Sequence, residues 1–242
     1  VHAGVADRRS WFEVMKLLTD GGVRCVAYDQ RGYGDTESAD EPYSHRDDLA
    51  AVLDDRGIDR AVLVGASRGG QVALDLALAM PTRVAALMLV GSAPSDAPFP
   101  SPPDDISELF RAIEEAEENG DLASVNDLEA RVWLDGALAP PQRVGSPLRE
   151  LFLDMNGRAL AGDSSGTAAP FDPTWNSLPA VDVPVSILVG DLDIPGLAVA
   201  AKATAERIPK ARFRILPDTA HLPMLEQPSV IAEEVAALVA LI

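Results

Sequence analysis

Two segments of this chain place a serine between glycines at the spacing of a nucleophile turn: Gly65-Ala66-Ser67-Arg68-Gly69 and Gly162-Asp163-Ser164-Ser165-Gly166. The pattern serves acyl transfer when a strand enters the turn and a helix leaves it, because the strained turn pushes the serine hydroxyl outward. The glycines supply room where side chains would clash. Only the first segment has that setting. Ala61-Val62-Leu63-Val64 is a continuous apolar run, and Gly69 to Met80 is an Ala- and Leu-rich helical stretch ended by Pro81. Ser164 sits in Gly, Ser and Pro residues with no strand before it. Ser67 is therefore the expected nucleophile. The backbone N–H of Arg68, at the start of the following helix, is an expected oxyanion donor. The Arg68 side chain has two readings, a group beside the pocket or a solvated cation.

A serine hydroxyl needs a base that titrates near neutrality. The chain has three histidines. His2 stands at the extreme N-terminus. His45 lies in a polar Tyr-Ser-His-Arg-Asp run and reads as a solvated helix-start residue. His221 follows the last expected strand, at the carboxyl end where α/β sheets carry their sites. It is the expected base. An acid must hold the imidazole tautomer. Asp191 and Asp193 both follow the strand starting at Val185, and Asp218 is nearer His221 in sequence but reads as a turn residue. The chain order Ser, Asp, His is that of one known triad arrangement.

The elements that must position these groups alternate short apolar runs with longer amphipathic ones, which predicts an α/β fold with a mostly parallel sheet flanked by helices. Strands are expected at Val23–Tyr28, Ala61–Val64, Val84–Val90, Val185–Val189 and Arg212–Leu216. Helices are expected at Tyr43–Arg56, Gly69–Met80, Gly196–Ile208 and Glu226–Ile242. Between Ala93 and Pro103 five prolines mark a linker. Three helices follow, at Ile106–Glu118, Leu122–Leu134 and Pro147–Gly162, and then a loop-like stretch to Pro184. The reading is a core in two parts, 1–93 and 185–242, with a helical insertion at 94–184.

Composition narrows the partners. The 242 residues carry 20 Lys and Arg against 38 Asp and Glu, a formal charge of −18. Such a surface repels phosphate backbones and anionic lipid, so neither nucleic acid nor membrane is expected as a partner. No apolar run reaches the roughly 18 residues that span a bilayer. The single cysteine, Cys25, excludes an internal disulfide and reads as a core residue. Scattered histidines without ligand spacing, and the lack of a Gly-rich phosphate loop, give no expectation of a metal or other cofactor.

Five segments, in order, resemble the α/β-hydrolase fold superfamily in its cap-bearing form. His2-Ala3-Gly4-Val5, followed by Trp11, resembles the His-Gly oxyanion loop. Asp29-Gln30-Arg31-Gly32-Tyr33-Gly34 resembles the Asp-x-Arg-Gly-x-Gly turn, which is structural in that family. Gly65–Gly69 resembles the nucleophile elbow. Gly190-Asp191-Leu192-Asp193 resembles the acid turn, and the run from His221 to Pro228 resembles the histidine segment. The resemblance implies Ser67, Asp193 and His221 as the triad, choosing Asp193 over Asp191. It implies Gly4 and Arg68 as backbone oxyanion donors, with Ala3 standing where the family has Gly. It implies 94–184 as a cap, and Val5, Phe110, Trp133, Phe152, Met155 and Leu222 as pocket residues, with Trp175 a further cap aromatic. The alternative for the cap aromatics is that they pack the cap helices together.

Ser67 separates the chain from haloalkane dehalogenases and epoxide hydrolases of this superfamily, which resemble it elsewhere but use Asp. The implied activity is hydrolysis of a small ester or lactone through an acyl-enzyme, with a small-molecule substrate and no cofactor. The alternatives are C–C bond hydrolysis of a ring-cleavage diketone and a non-catalytic ligand-binding or signalling protein on the same fold. The family has three strands before the oxyanion loop, and here only the end of the third precedes His2. The expectation is a sheet whose first strands, roughly 25 residues by the fold's usual anatomy, are missing. Cytoplasmic is the default location.

Overall fold

The computed structural model describes residues 1–162 and 166–242. Its elements run α1 (Phe12–Asp20), β1 (Pro42–Tyr43), α2 (His45–Asp55), β2 (Ala61–Ala66), α3 (Arg68–Ala79), β3 (Val84–Val90), α4 (Asp104–Glu118), α5 (Leu122–Glu129), α6 (Leu148–Ala161), β4 (Thr167–Ala168), β5 (Val185–Gly190), α7 (Pro195–Arg207), β6 (Ala211–Leu216), α8 (Pro223–Glu226) and α9 (Pro228–Val239). The main sheet is wholly parallel, in the order β2-β3-β5-β6. β1 and β4 pair apart from it as a short parallel ribbon.

β3 shows why these strands are apolar throughout. Its alternate residues Ala86, Met88 and Val90 join the core under α1 and α9, while Leu87 and Leu89 join the core under α2, α3 and α7. Helices cover both faces, so every residue of the strand is buried. The final helix is expected as one piece but is split: Pro228 starts α9 afresh after α8 ends. The expected Leu122–Leu134 helix also divides, as α5 passes into a π turn at Ala130–Leu134.

Among the described residues the expected strand Val23–Tyr28 pairs with no other strand. A cavity of about 620 Å³ separates it from β2, walled by Cys25, Ala27 and Tyr28 on one side and Val62 and Val64 on the other. At one end of this slot Val1 donates from its amino group to the Val64 carbonyl at 2.6 Å and accepts from the Ala66 N–H at 3.1 Å. A strand counts as such only when a neighbour pairs with it, and among the described residues no neighbour fills the slot. For the same reason Cys25, expected in the core, is only half-buried on the slot wall. Partial burial still pushes its thiol pKa upward.

α4, α5 and α6 lie in sequence between β3 and β5. α5 packs on both its neighbours. Ile106, Ile113, Val125 and Val132 form a separate small core there. Leu134, Phe152 and Met155 instead join the main core beside Met88 and Leu222. Among the described residues no helix is long and apolar enough to cross a membrane.

Candidate active site

The turn after β2 is strained in the way the motif requires. Ser67 has φ 51° and ψ −120°, outside the conformations most residues adopt, and α3 begins at the next residue. The strain is held by hydrogen bonds: the Ser67 N–H donates to the Val90 carbonyl at 2.8 Å, and the Ser92 hydroxyl donates to the Ser67 carbonyl at 2.7 Å. Both motif glycines are steric necessities. A Cβ on Gly65 would overlap the Gly69 carbonyl, and one on Gly69 would stand 2.5 Å from the carbonyl oxygens of Val1 and His2. The first turn of α3 therefore lies directly on the loop that begins at His2.

That loop is held from beneath. His2 is fully buried. Its Nε2 accepts from the Gln30 N–H at 2.9 Å, which leaves Nδ1 as the protonated nitrogen, donating to the Ala3 carbonyl at 2.7 Å. The Gln30 side-chain amide donates to the His2 carbonyl at 2.9 Å. Burial pushes the His2 pKa down to about 3, with the Arg68 charge adding in the same direction. The neighbouring turn is structural, as expected. Buried Asp29 accepts from the Arg8 and Asp35 N–H groups at 2.7 and 3.0 Å and pairs with the Arg8 guanidinium. Gly34, at φ 54°, leaves room for that carboxylate. Gly4 follows the anchored His2-Ala3. Among the described residues its N–H donates no hydrogen bond, and the N–H of Arg68, first in its helix, has no intrahelical acceptor.

The expected acid and base follow β5 and β6, at the other end of the sheet from β2. Asp193 Oδ2 lies 2.8 Å from His221 Nδ1, and both side chains are almost wholly buried. The other Asp193 oxygen accepts from the Ile194 N–H at 2.8 Å. The turn after β5 is tied to the histidine loop, since the Leu192 N–H donates to the Thr219 carbonyl at 3.0 Å. Gly190 lets the two loops touch, because a Cβ there would overlap Thr219. Asp191 and Asp218 are exposed and do not meet His221.

Gly91 joins the two halves. It follows Val90, whose carbonyl holds Ser67, and a Cβ on it would stand 3.1 Å from His221 Nδ1 and 3.3 Å from Asp193 Oδ2. Ser67 follows β2 and the Asp193–His221 pair follows β5 and β6, so all three stand at the carboxyl end of one parallel sheet, with Gly91, after the intervening β3, between them. The Ser67 hydroxyl makes no hydrogen bond among the described residues, and such contacts commonly tighten only when substrate binds.

The expected pocket residues divide. Trp133 packs its ring 4.6 Å from that of His221 and accepts the His221 N–H at 3.2 Å, and Phe110 lies 6.0 Å from Trp133. Val5 is half-buried beside Gly4. Phe152, Met155 and Leu222 are corrections to the expected lining: they are fully buried in the main core, where their bulk fills the space between α6, the π turn and α8. Trp175 packs over the Arg207 guanidinium and against α7, away from His221. His45 is also corrected. It is buried, stacked on Phe171 at 6.1 Å, and held neutral, its pKa pushed down to about 4 by burial and then by Arg68. Ser164 lies outside the described residues.

Two features carried little sequence signal. Gly91 is a lone glycine after a strand. Arg143 donates to the carbonyls of Leu134, Asp135 and Asp218 and pairs with Glu226 at 2.7 Å, while Glu226 accepts the Ala220 N–H at 2.9 Å. It ties the helical insertion to the loop that carries His221.

A parallel sheet covered on both faces, with a serine on a strained strand-to-helix turn and a buried His–Asp pair beyond neighbouring strands, defines a hydrolase of the α/β class. The chain matches the model of the Alpha/beta hydrolase family over residues 1–234 and belongs to that family. It is similar to an Epoxide hydrolase 3 from Siraitia grosvenorii, with 30% identity over 227 residues covering 76% of this chain and 71% of that protein. It is similar to a proline iminopeptidase from Lacticaseibacillus rhamnosus (strain Lc 705), with 25% identity over 250 residues covering 94% of this chain and 84% of that protein. Among solved structures it resembles a malate-bound thermophilic esterase from Thermogutta terrifontis, with a TM-score of 0.76 and 25% identity, covering 99% of this chain and 87% of that one.

Proposed function

We propose that this chain is a serine hydrolase that cleaves a small ester or lactone through an acyl-enzyme on Ser67. One observation carries the reading: Ser67 on its strained turn faces the same end of the sheet as a buried His221–Asp193 pair joined at 2.8 Å. Asp193 keeps the proton on Nδ1 of His221, which leaves Nε2 free to take the Ser67 proton. Ser67 Oγ then bonds to the substrate carbonyl carbon, and the resulting oxyanion accepts from the unengaged N–H groups of Gly4 and Arg68. His221 returns the proton to the leaving alkoxide as the C–O bond breaks. Water, deprotonated by the same histidine, releases the acid. Residues 94–184 act as a cap on this site, a role supported by Trp133 and Phe110 beside His221. The esterase and peptidase names of relatives agree with acyl transfer. The epoxide hydrolase likeness extends to the fold, while Ser67 favours an ester-type intermediate.

The test is hydrolysis of p-nitrophenyl acetate and butyrate by the parent chain and by Ser67→Ala. Saturable turnover that falls at least roughly 10³-fold in the variant is expected. Labelling by a fluorophosphonate probe that Ser67→Ala abolishes is the independent readout. A folded parent chain that neither turns over nor labels overturns the reading.

A further inference from the structure

Among the described residues, Arg68 is a cation beside the site that pairs with no carboxylate. Its guanidinium lies over the Tyr33 ring at 4.5 Å and against Gly4, where a Cβ would stand 3.5 Å from Arg68 Cζ. Nε and Nη2 are closed off from solvent and make no hydrogen bond, and among the described residues no other arginine has such a nitrogen. Nearby Arg8, Arg9, Arg31 and Arg46 all pair with carboxylates, and among the described residues Arg68 pairs with none. That is notable in a chain with 38 acidic residues against 20 basic ones. The groups that surround it are Tyr33 and two buried histidines, His2 and His45, both held neutral. A partly buried cation without a partner is unfavourable, and a guanidinium presents a planar fork that matches a carboxylate.

Its position indicates which end of a substrate it would meet. Arg68 is approached by residues that precede β2, namely Gly4, Tyr33 and His45. His221 and Asp193 instead lie over Gly91, which follows β3, and Trp133 packs on the His221 ring. The leaving group must lie toward His221, which protonates it, so the acyl portion extends toward Arg68. Ser67, Gly4, Tyr33 and Arg68 are all half-exposed, so this side opens to solvent rather than to packed core.

We propose that the Arg68 side chain forms a carboxylate subsite, so that the substrates are esters or lactones whose acyl portion carries a free carboxylate. The acyl-side assignment rests on the serine-hydrolase reading, whereas the anion subsite itself does not.

The experiment compares 4-nitrophenyl hydrogen adipate with 4-nitrophenyl hexanoate, which differ by the terminal carboxylate, in the parent chain, Arg68→Met and Arg68→Lys. The ratio of kcat/KM for the anionic to the neutral ester is expected to exceed ten in the parent. It falls at least tenfold in Arg68→Met, mainly through KM, and recovers in part in Arg68→Lys. The second measurement needs no turnover: calorimetric titration of monomethyl adipate into Ser67→Ala and into Ser67→Ala/Arg68→Met. Binding that weakens at least tenfold in the double variant is expected, with dimethyl adipate equally weak in both. Equal affinity in the two chains, or no preference for the adipate ester, overturns the subsite. Ser67-dependent turnover of the neutral ester would still stand in that case, which separates failure of this proposal from failure of the hydrolase reading.

Discussion

His2 should make the fold fail in acid before any carboxylate does. In the native chain the ring is neutral, because Nε2 accepts the Gln30 N–H and the site is buried, and its pKa lies near 3 against 6.5 for a free histidine. The unfolded chain therefore takes up a proton below pH 6.5 that the folded chain refuses. Stability from this group is fully present above that pH and is lost as pH falls toward 3. At pH 5 the deficit is 1.5 pH units, or about 2 kcal/mol, a sizeable share of a typical domain's stability. His45, with its pKa near 4, acts in the same direction over the upper part of that window. The contribution of His2 is isolated by His2→Gln, whose side-chain oxygen can still accept the Gln30 N–H but does not titrate. Urea unfolding of both chains at pH 7, 6 and 5 is the assay. The parent should lose about 2 kcal/mol more than His2→Gln between pH 7 and pH 5. Parallel losses in the two chains would refute the argument, because they would mean that His2 protonates as readily folded as unfolded.

Three further outcomes follow from the geometry. Asp193→Asn should keep the fold but lower kcat about 10³- to 10⁴-fold on p-nitrophenyl esters, since an amide no longer fixes the His221 tautomer; a loss under tenfold would argue against Asp193 as the orienting acid. Gly69→Ala places a methyl 2.5 Å from two backbone carbonyls and should destabilise by at least ~2 kcal/mol in urea unfolding, whereas Gly57→Ala, at φ 61° but with open space around it, should cost less. Arg143→Met removes the tie between the insertion and the His221 loop. It should lower kcat several-fold while fluorophosphonate still labels Ser67, and unchanged kcat would show that the loop holds itself.

The site was largely legible in the sequence because its parts are local. The nucleophile turn is written in five consecutive residues, and the strand before it and the helix after it in the next dozen. His221 stood out because only three histidines exist and it alone followed an expected strand. Choosing Asp193 over Asp191 needed the family pattern, since alternate residues of a tight turn differ only in direction, and the structure puts Asp191 in solvent. Burial was the less legible property. His45 read as solvated because its neighbours are polar, and His2 was marked only by its place at the N-terminus, yet each is enclosed by segments distant in the chain, Gln30 for His2 and Phe171 for His45. Phe152 and Met155 failed as pocket residues for the converse reason: helical spacing shows which face is apolar but not whether it meets a cavity or a core.

The precision of the site comes from backbone touching backbone. Gly65 meets Gly69, Gly69 meets Val1 and His2, and Gly190 meets Thr219, each at a separation that admits no Cβ. Gly91 seats the His221–Asp193 pair with little room to spare. Main chain in close contact has few ways to relax, so Ser67, the Gly4 loop and the His221 loop are fixed relative to one another without depending on long side chains. The insertion reaches this frame chiefly through Trp133 and Arg143. On the proposed reading Arg68 serves both ends of the site: its backbone N–H belongs to the fixed frame, while its side chain selects what the frame cleaves.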